Sequence, residues 1–272
     1  MSGDPVPDAA WPDERIVLAV SHDSPTAAMV TAIEQLNTVD LGAHALIGGL
    51  AVACRLAQVH RATGDVDQLV EGTEPLAIER IVRSGVGRRD ERGKLYVGGV
   101  QVDVIDTYQL SDDDLDGVEG HPRLFVVGHR YALDSARPAT IIAAPATGGL
   151  ADGVALAGAP AARCHLATAA GLLATKTHAL AERRNSRPEK QASDIYDLYR
   201  LAGAHLDAIV TDLRAAPFGL AELVADALSE RITASPARAV RQLRQLPGGE
   251  IAGIDADALA DRIEPLIGGL RR

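Results

Sequence analysis

Two aspartates one residue apart, Asp65 and Asp67 in "RATGDVDQLV", sit on what reads as a strand. Strand side chains two positions apart share a face. Two carboxylates held there repel each other unless they are solvated, paired or bridged by a cation. Mg²⁺ takes one or two carboxylates and leaves its other positions for water and phosphate oxygens. A third acid on a neighbouring strand would complete a site for one or two metals. "VQVDVID" offers Asp103 between Val102 and Val104, whereas Asp106 has the opposite parity and faces away or ends the strand. Upstream, Gly48-Gly49 closes a strand just before a helix, where backbone N–H groups and the helix N-terminus approach a phosphate closely. Two metals held this way stabilise the entering and leaving oxygens of an in-line phosphoryl or nucleotidyl transfer. Asp103 could also take a proton from the attacking hydroxyl. The plainer alternative makes Asp65 and Asp67 turn residues at a strand edge.

A second group lies far downstream in "LLATKTHALAERRNSRPEKQASDIYDLYRL". Lys176 interrupts an apolar helix, where a charge is costly without a partner. A triphosphate or an acid would be such a partner, and lysine suits phosphate as a point charge; the alternative is a lysine snorkelling to the surface. Asp194 and Asp197 lie three apart and share a helix face. Asp197 could orient Lys176 or cap part of the bundle. The neighbouring "AERRNSRPEK" is a basic, phosphate-facing candidate. "SDDDLD" reads as a solvated loop and helix start. His44 and His60 lack metal-ligand spacing and read as structural or surface residues. "RRDERGK" and the arginine stripe of "RAVRQLRQL" are charged surfaces that could meet an RNA backbone or simply be solvated.

The elements that must position these groups follow from periodicity. Residues 26–36 read as a helix, "HALIGG" as a strand into a turn, "LAVACRLAQ" as a helix, and "GDVDQLV" as a strand. "PLAIERIVRSG" suits a short helix, and "KLYVGGVQVDVIDTY" a hairpin about Gly98-Gly99. "RLFVVGHRYAL" and "ATIIAAP" are two further strand candidates. Residues 146–162, rich in Gly and Ala, read as a connection. From about Ala161 onward the pattern is helical almost throughout, in about six segments. The expected division is a loose tail at 1–14, an α/β core at 15–160 and a helical domain at 161–272, with a ligand cleft between the last two.

Composition sets the outer limits. A chain of 272 residues, 47% hydrophobic, can bury a sizeable core, and 3% aromatics make that core mostly aliphatic. A net charge of -10 argues against indiscriminate nucleic-acid binding through bulk charge but leaves room for a local basic cleft. Cys54 and Cys164 sit in apolar runs without metal spacing and read as buried hydrophobes, so a reducing cytoplasm is expected. The N-terminus lacks the pattern of a signal peptide, and no run suits a membrane span.

The order Gly48-Gly49, helix, Asp65-Val66-Asp67, then Asp103 on a strand resembles the nucleotidyltransferase fold of the DNA polymerase β superfamily. "RATGDVD" is similar to the R-x-[ST]-x-D-x-D pattern of the AbiEii and MenT toxin-type nucleotidyltransferases, through Arg61 and Thr63. The downstream stretch resembles that family's second signature through Lys176, Ala179, Leu180, Arg183 or Arg184, Asp194 and Asp197-Leu198. The resemblance implies an α+β fold, a nucleotidyltransferase core with a mixed sheet followed by a helical C-terminal bundle. It implies that Asp65, Asp67 and Asp103 hold Mg²⁺, that Gly48 and Gly49 cradle the NTP, and that Lys176 contacts its phosphates. Arg61 would brace the acids or bind phosphate. Asp194 would belong to the active site, near the acceptor or orienting Lys176. It further implies a bacterial toxin with a cognate antitoxin and the tRNA 3′ end as acceptor. Two departures stand out: Ser193 replaces the family's lysine before Asp194, with Lys190 one turn earlier, and Leu50 follows the glycines where a small or hydroxyl residue is usual. Nucleotidylation of a small molecule or a protein, and a non-catalytic nucleotide- or partner-binding module, are the rival functions.

Overall fold

The computed structural model describes residues 14–20, 24–108, 110–145, 156–183, 188–246 and 249–272. Residues 1–13 of the expected loose tail, most of the Gly/Ala connection and Arg184 lie outside the described residues, and Glu14, the last residue of that expected tail, is in a strand. The remainder is a mixed α/β structure: eight strands form one sheet, and helices dominate the C-terminal region.

The strands are β1 (Glu14–Val20), β2 (His44–Ile47), β3 (Asp65–Val70), β4 (Gly87–Arg89), β5 (Leu95–Val97), β6 (Val100–Asp106), β7 (Arg137–Pro145) and β8 (Ala161–Leu166), in the order β1-β7-β8-β2-β3-β6-β5-β4. Parallel pairs β1·β7, β8·β2 and β3·β6 alternate with antiparallel pairs, so the sheet is mixed. β3 and β6 bury Val66, Val102 and Val104 on one face and turn Asp65, Asp67, Gln101 and Asp103 to the other. That alternation of apolar and polar faces is what a half-buried strand requires.

The expected helix at 26–36 is α1 (Thr26–Leu36), and α2 (Gly48–Arg55) starts directly at the first glycine. α3 (Glu74–Arg83), with proline in its first turn, covers the side of the sheet near β4 and β6. The acidic run forms α4 (Asp112–Leu115), where Ser111 accepts the N–H of Asp114.

Two expectations about elements are corrected. "RLFVVGHRYAL" is not a strand but belongs to α5 (Gly120–Asp134). Its buried positions include Leu124, Val127, Gly128 and Ala132, a helical spacing that the β-branched and aromatic composition conceals. The chain is also not yet helical at Ala161: "AARCHL" is β8, inserted between β7 and β2. Only Ala162 and Leu166 of that strand are buried, so its own sequence carries little strand signal and the pairing decides. β1 precedes the first element read from sequence.

After β8 come α6 (Ala169–Glu182), α7 (Pro188–Ala215), α8 (Leu220–Leu228), a π-helical turn (Ser229–Thr233), α9 (Pro236–Leu243), α10 (Gly249–Ala252) and α11 (Ala256–Leu270). α6 packs against α2, α5, α7 and α8, so it is enclosed on nearly every side. A helix so placed is apolar all round, which makes its one lysine, buried Lys176, informative. Among the described residues no helix is long and apolar enough to cross a membrane.

Candidate active site

Sheet register brings the acids together. β2 pairs with β3 so that Ile47 lies opposite Asp67, and β3 pairs with β6 so that Asp67 lies opposite Asp103. Asp65, Asp67 and Asp103 offer carboxylate oxygens that all lie within 4.8 Å of one another. Asp106, of opposite parity, stays outside this trio; its carboxylate accepts the backbone N–H of Glu74 at 3.4 Å.

The β2–α2 turn is pressed against the trio. Gly48 has φ +74°, and a Cβ built on it would lie 1.7 Å from Asp67 Oδ2. Both the backbone conformation and the space demand glycine there. At Gly49 a Cβ would lie 2.7 Å from the Arg61 guanidinium and 2.9 Å from Thr63 Oγ1. The N-terminus of α2 therefore opens directly beside the acids.

The downstream residues form a buried ionic hub next to this turn. Lys176 Nζ lies 3.0 Å from Asp194 Oδ1 and 2.9 Å from Asp197 Oδ2. Asp197, fully buried, also accepts both arms of Arg61 at 2.7 Å and lies 2.8 Å from His60 Nε2. Asp194 pairs in addition with Arg183. Of the two roles open for Asp197, the geometry is the one that orients Lys176; its second partner, Arg61, ties the loop before β3 to α7. Ser193 turns its hydroxyl to the Glu189 carbonyl. Lys190 instead reaches Asp65 Oδ2 at 3.2 Å, so the displaced lysine still arrives at the acids.

The charges are not evenly matched. Burial would raise Asp65, but the Lys190 charge and hydrogen bond, with Thr63, outweigh it and hold the carboxyl below its ordinary value. Burial, then the neighbouring Asp65 charge, pushes Asp67 up to about 6. Asp197 is the reverse: burial opposes its charge, yet Lys176, Arg61 and His60 drive its carboxyl far down. Burial likewise works against the Lys176 charge, and Asp197 and Asp194 more than restore it. A crowded acid left short of positive charge, with two more carboxylates in reach, is a donor set that fits a hard divalent cation.

All these groups except Asp103 and the sealed Asp197 and His60 line one cleft of about 530 Å³. Lys176, Asp194 and Asp67 face the same space, as do Gly48, Gly49 and Arg61. A cleft of similar size, about 540 Å³, contains none of them. His60 is structural, one of the two roles its sequence context allows: it supports Asp197, and its place directly before Arg61 is the signal for that. Phe125, His129 and His178 also line the acidic cleft, and no sequence motif marks them. Phe125 and His129 lie one helical turn apart on α5, a relation hidden while that segment reads as a strand.

A family model described as "Nucleotidyl transferase AbiEii toxin, Type IV TA system" matches residues 34–267. Among solved structures, an antigenic nucleotidyltransferase-like protein from Paracoccidioides brasiliensis is similar over 83% of this chain and 94% of that chain, at 16% identity and a TM-score of 0.43. No curated protein matches.

Proposed function

The chain belongs to the AbiEii nucleotidyl transferase toxin family, and we propose that it transfers a nucleotide from an NTP, with Mg²⁺, to the 3′-terminal hydroxyl of a tRNA, acting as the toxin of a toxin–antitoxin pair. The observation that carries the transfer chemistry is the convergence on one cleft of the crowded acids, the glycine turn and the Lys176 hub. Toxicity and the antitoxin partner are drawn from the family description.

In this reading Asp65, Asp67 and Asp103 hold the cation, which when bound neutralises charge on the oxygens entering and leaving phosphorus. Gly48 and Gly49 present backbone N–H groups at the start of α2 to the triphosphate. Lys176, held by Asp194 and Asp197, supplies fixed positive charge to the phosphates. Asp103 accepts Gln101 Nε2 on Oδ1 at 2.7 Å, and its other oxygen takes the proton of the attacking hydroxyl. The new bond joins that oxygen to the α-phosphorus, and pyrophosphate leaves with the electrons of the broken P–O bond. Arg61 braces Asp197 rather than meeting substrate. We take the chain as an α/β core followed by a helical C-terminal part, with β8 assigned to the core's sheet.

The test is incubation with each α-labelled NTP, Mg²⁺ and total tRNA, resolved on a denaturing gel beside Asp67→Asn. Label in tRNA with the intact protein alone is the expected result. Label in protein or a small molecule, with none in tRNA, would overturn the acceptor. Absence of transfer to any acceptor, with NTP still bound, would overturn the catalytic reading.

A further inference from the structure

We propose that Phe125, His129 and His178 form a nucleobase site in the cleft, with Phe125 as a stacking surface and His129 as a hydrogen-bond acceptor that selects a pyrimidine with an amine at C4 or a purine with an amine at C6, over the carbonyl of uracil or guanine at the same position. This rests on the reading of the cleft as an NTP site.

The three rings form one cluster. Phe125 lies 4.3 Å from His129 and 4.9 Å from His178 between centroids, and the two histidines lie 5.6 Å apart. They come from facing helices, α5 and α6, and line the same cleft as Asp67 and Lys176. Chemically, this part of the cleft differs from the rest. Carboxylates, cations and backbone N–H groups make up much of the lining; the ring cluster adds aromatic faces, and Ile105 lines the same cleft. An NTP has the same division, with an anionic tail and a flat, weakly polar base. Aromatic surfaces take a base by stacking whatever its identity.

Identity must then come from a polar group, and His129 supplies one. Its Nδ1 lies 2.7 Å from the Phe125 carbonyl oxygen. A carbonyl only accepts, so Nδ1 carries the hydrogen. Burial, then the nearby His178, lowers the His129 value to about 4, so the ring is neutral at physiological pH. A neutral ring with hydrogen on Nδ1 has a lone pair on Nε2. Nε2 has no hydrogen-bond partner among the described residues. It is also not one of the sealed, unbonded nitrogens, which are His60 Nδ1 and Arg231 Nε. His129 is 5% exposed and His178 7%, so both are polar side chains more than nine-tenths buried whose remaining access is to the cleft they line. An accessible acceptor in a largely buried ring, with no partner among the described residues, is free to meet a ligand donor.

The acceptor distinguishes within each class of base. Cytosine presents an amine where uracil presents a carbonyl, and adenine an amine where guanine presents a carbonyl. A carbonyl facing the Nε2 lone pair leaves two acceptors opposed and unbonded. A site built around one hydrogen bond rejects such an analogue strongly.

The experiment is calorimetric binding of CTP, UTP, ATP, GTP and inorganic tripolyphosphate to the full chain, with Ca²⁺ as cation to limit turnover. CTP should bind about tenfold tighter than UTP, and ATP about tenfold tighter than GTP. His129→Leu should flatten both differences. Phe125→Ala should lower the affinity of every NTP about tenfold relative to tripolyphosphate. Circular dichroism melts separate these effects from unfolding, and the wild-type ranking tests the selection without any variant. Four NTPs bound equally, alongside tripolyphosphate, would overturn the base site and leave the phosphate reading standing. Absence of binding for both NTPs and tripolyphosphate would overturn the NTP reading of the cleft itself.

Discussion

Asp67 is the carboxylate squeezed hardest, between the Gly48 backbone, Asp65 and Asp103. Replacing it with asparagine keeps the shape and removes the charge. Transfer should fall at least about a hundredfold, as it does when a group acting on transition-state charge is lost. Stability should respond in the opposite sense. The Asp67 value rises from 3.8 to about 6 on folding, through burial and then Asp65. The folded chain therefore keeps a proton that the unfolded chain has lost between those values. Stability from this group is greatest at low pH and declines as pH rises through about 6. In EDTA, melts from pH 4 to 7 should show Asp67→Asn gaining on the wild type as pH rises; a constant difference would contradict the crowding. Cation binding runs the other way, because the ligand must be deprotonated. Titration with Mn²⁺ should give tighter binding at pH 7.5 than at pH 5, with protons released at the lower pH. Asp197 has the opposite sign to Asp67: its carboxyl is held down, so its contribution is present above the ordinary aspartate value and lost as pH falls below it.

At the scale of elements, the site depends on two junctions. The first is the β2–α2 turn. Gly48→Ala adds a methyl 1.7 Å from Asp67 Oδ2 at φ +74°, whereas Gly64→Ala meets nothing within 4 Å. The first should cost about 1–3 kcal/mol and weaken Mn²⁺ binding, with the second as control. The second junction is Asp197, which joins α6, α7 and the loop before β3 through Lys176, Arg61 and His60. Asp197→Asn takes the charge facing Arg61 and one of the two carboxylates facing Lys176, and should cost about 3–5 kcal/mol in denaturant unfolding. These junctions differ in how far the sequence shows them. Gly48, Asp65 and Asp67 are legible because glycine before a helix and alternate acids on a strand are local patterns. Lys176 is legible because a charge in an apolar helix asks for a partner. The partner itself comes from α7, so only its shared helix face with Asp194 could be read. β8 escaped because "AARCHL" owes its strand state to β7 and β2 rather than to its own side chains. α5 escaped because Val, Phe and Tyr suit either state in a short run. That second miss concealed Phe125 and His129 as neighbours, and their meeting with His178 depends on the packing of α5 on α6.

For the whole molecule, the tRNA acceptor proposed above raises the question of how a chain of net charge -10 would meet a polyanion. Bulk charge opposes the encounter, so contacts must be few and local. Several cations near the cleft are already committed: Lys176 and Arg183 to Asp194, Arg61 to Asp197, Lys190 to Asp65. The polar face of the sheet continues beyond them. Register places Asp65 beside Gln101, Gln101 beside Tyr96 and Tyr96 beside Arg88, so one row leads from the acids to the β4 edge. Lys94 joins that row through Gln101 at 2.8 Å, and Arg88 at its end is exposed. A tRNA 3′ end laid along the row would place its terminal hydroxyl near Asp103, a base within reach of Tyr96 and a phosphate near Arg88. Three or four such phosphate contacts on a single strand imply a log–log salt slope of only about −2 to −3. Arg88→Glu should then raise KM for tRNA a few-fold, make the salt slope shallower by about 0.7, and leave NTP affinity alone. Steady-state transfer at several salt concentrations measures both quantities. A KM that ignores Arg88 would place the acceptor on the opposite wall of the cleft, beside α7, where Lys190 would have to leave Asp65 to meet it.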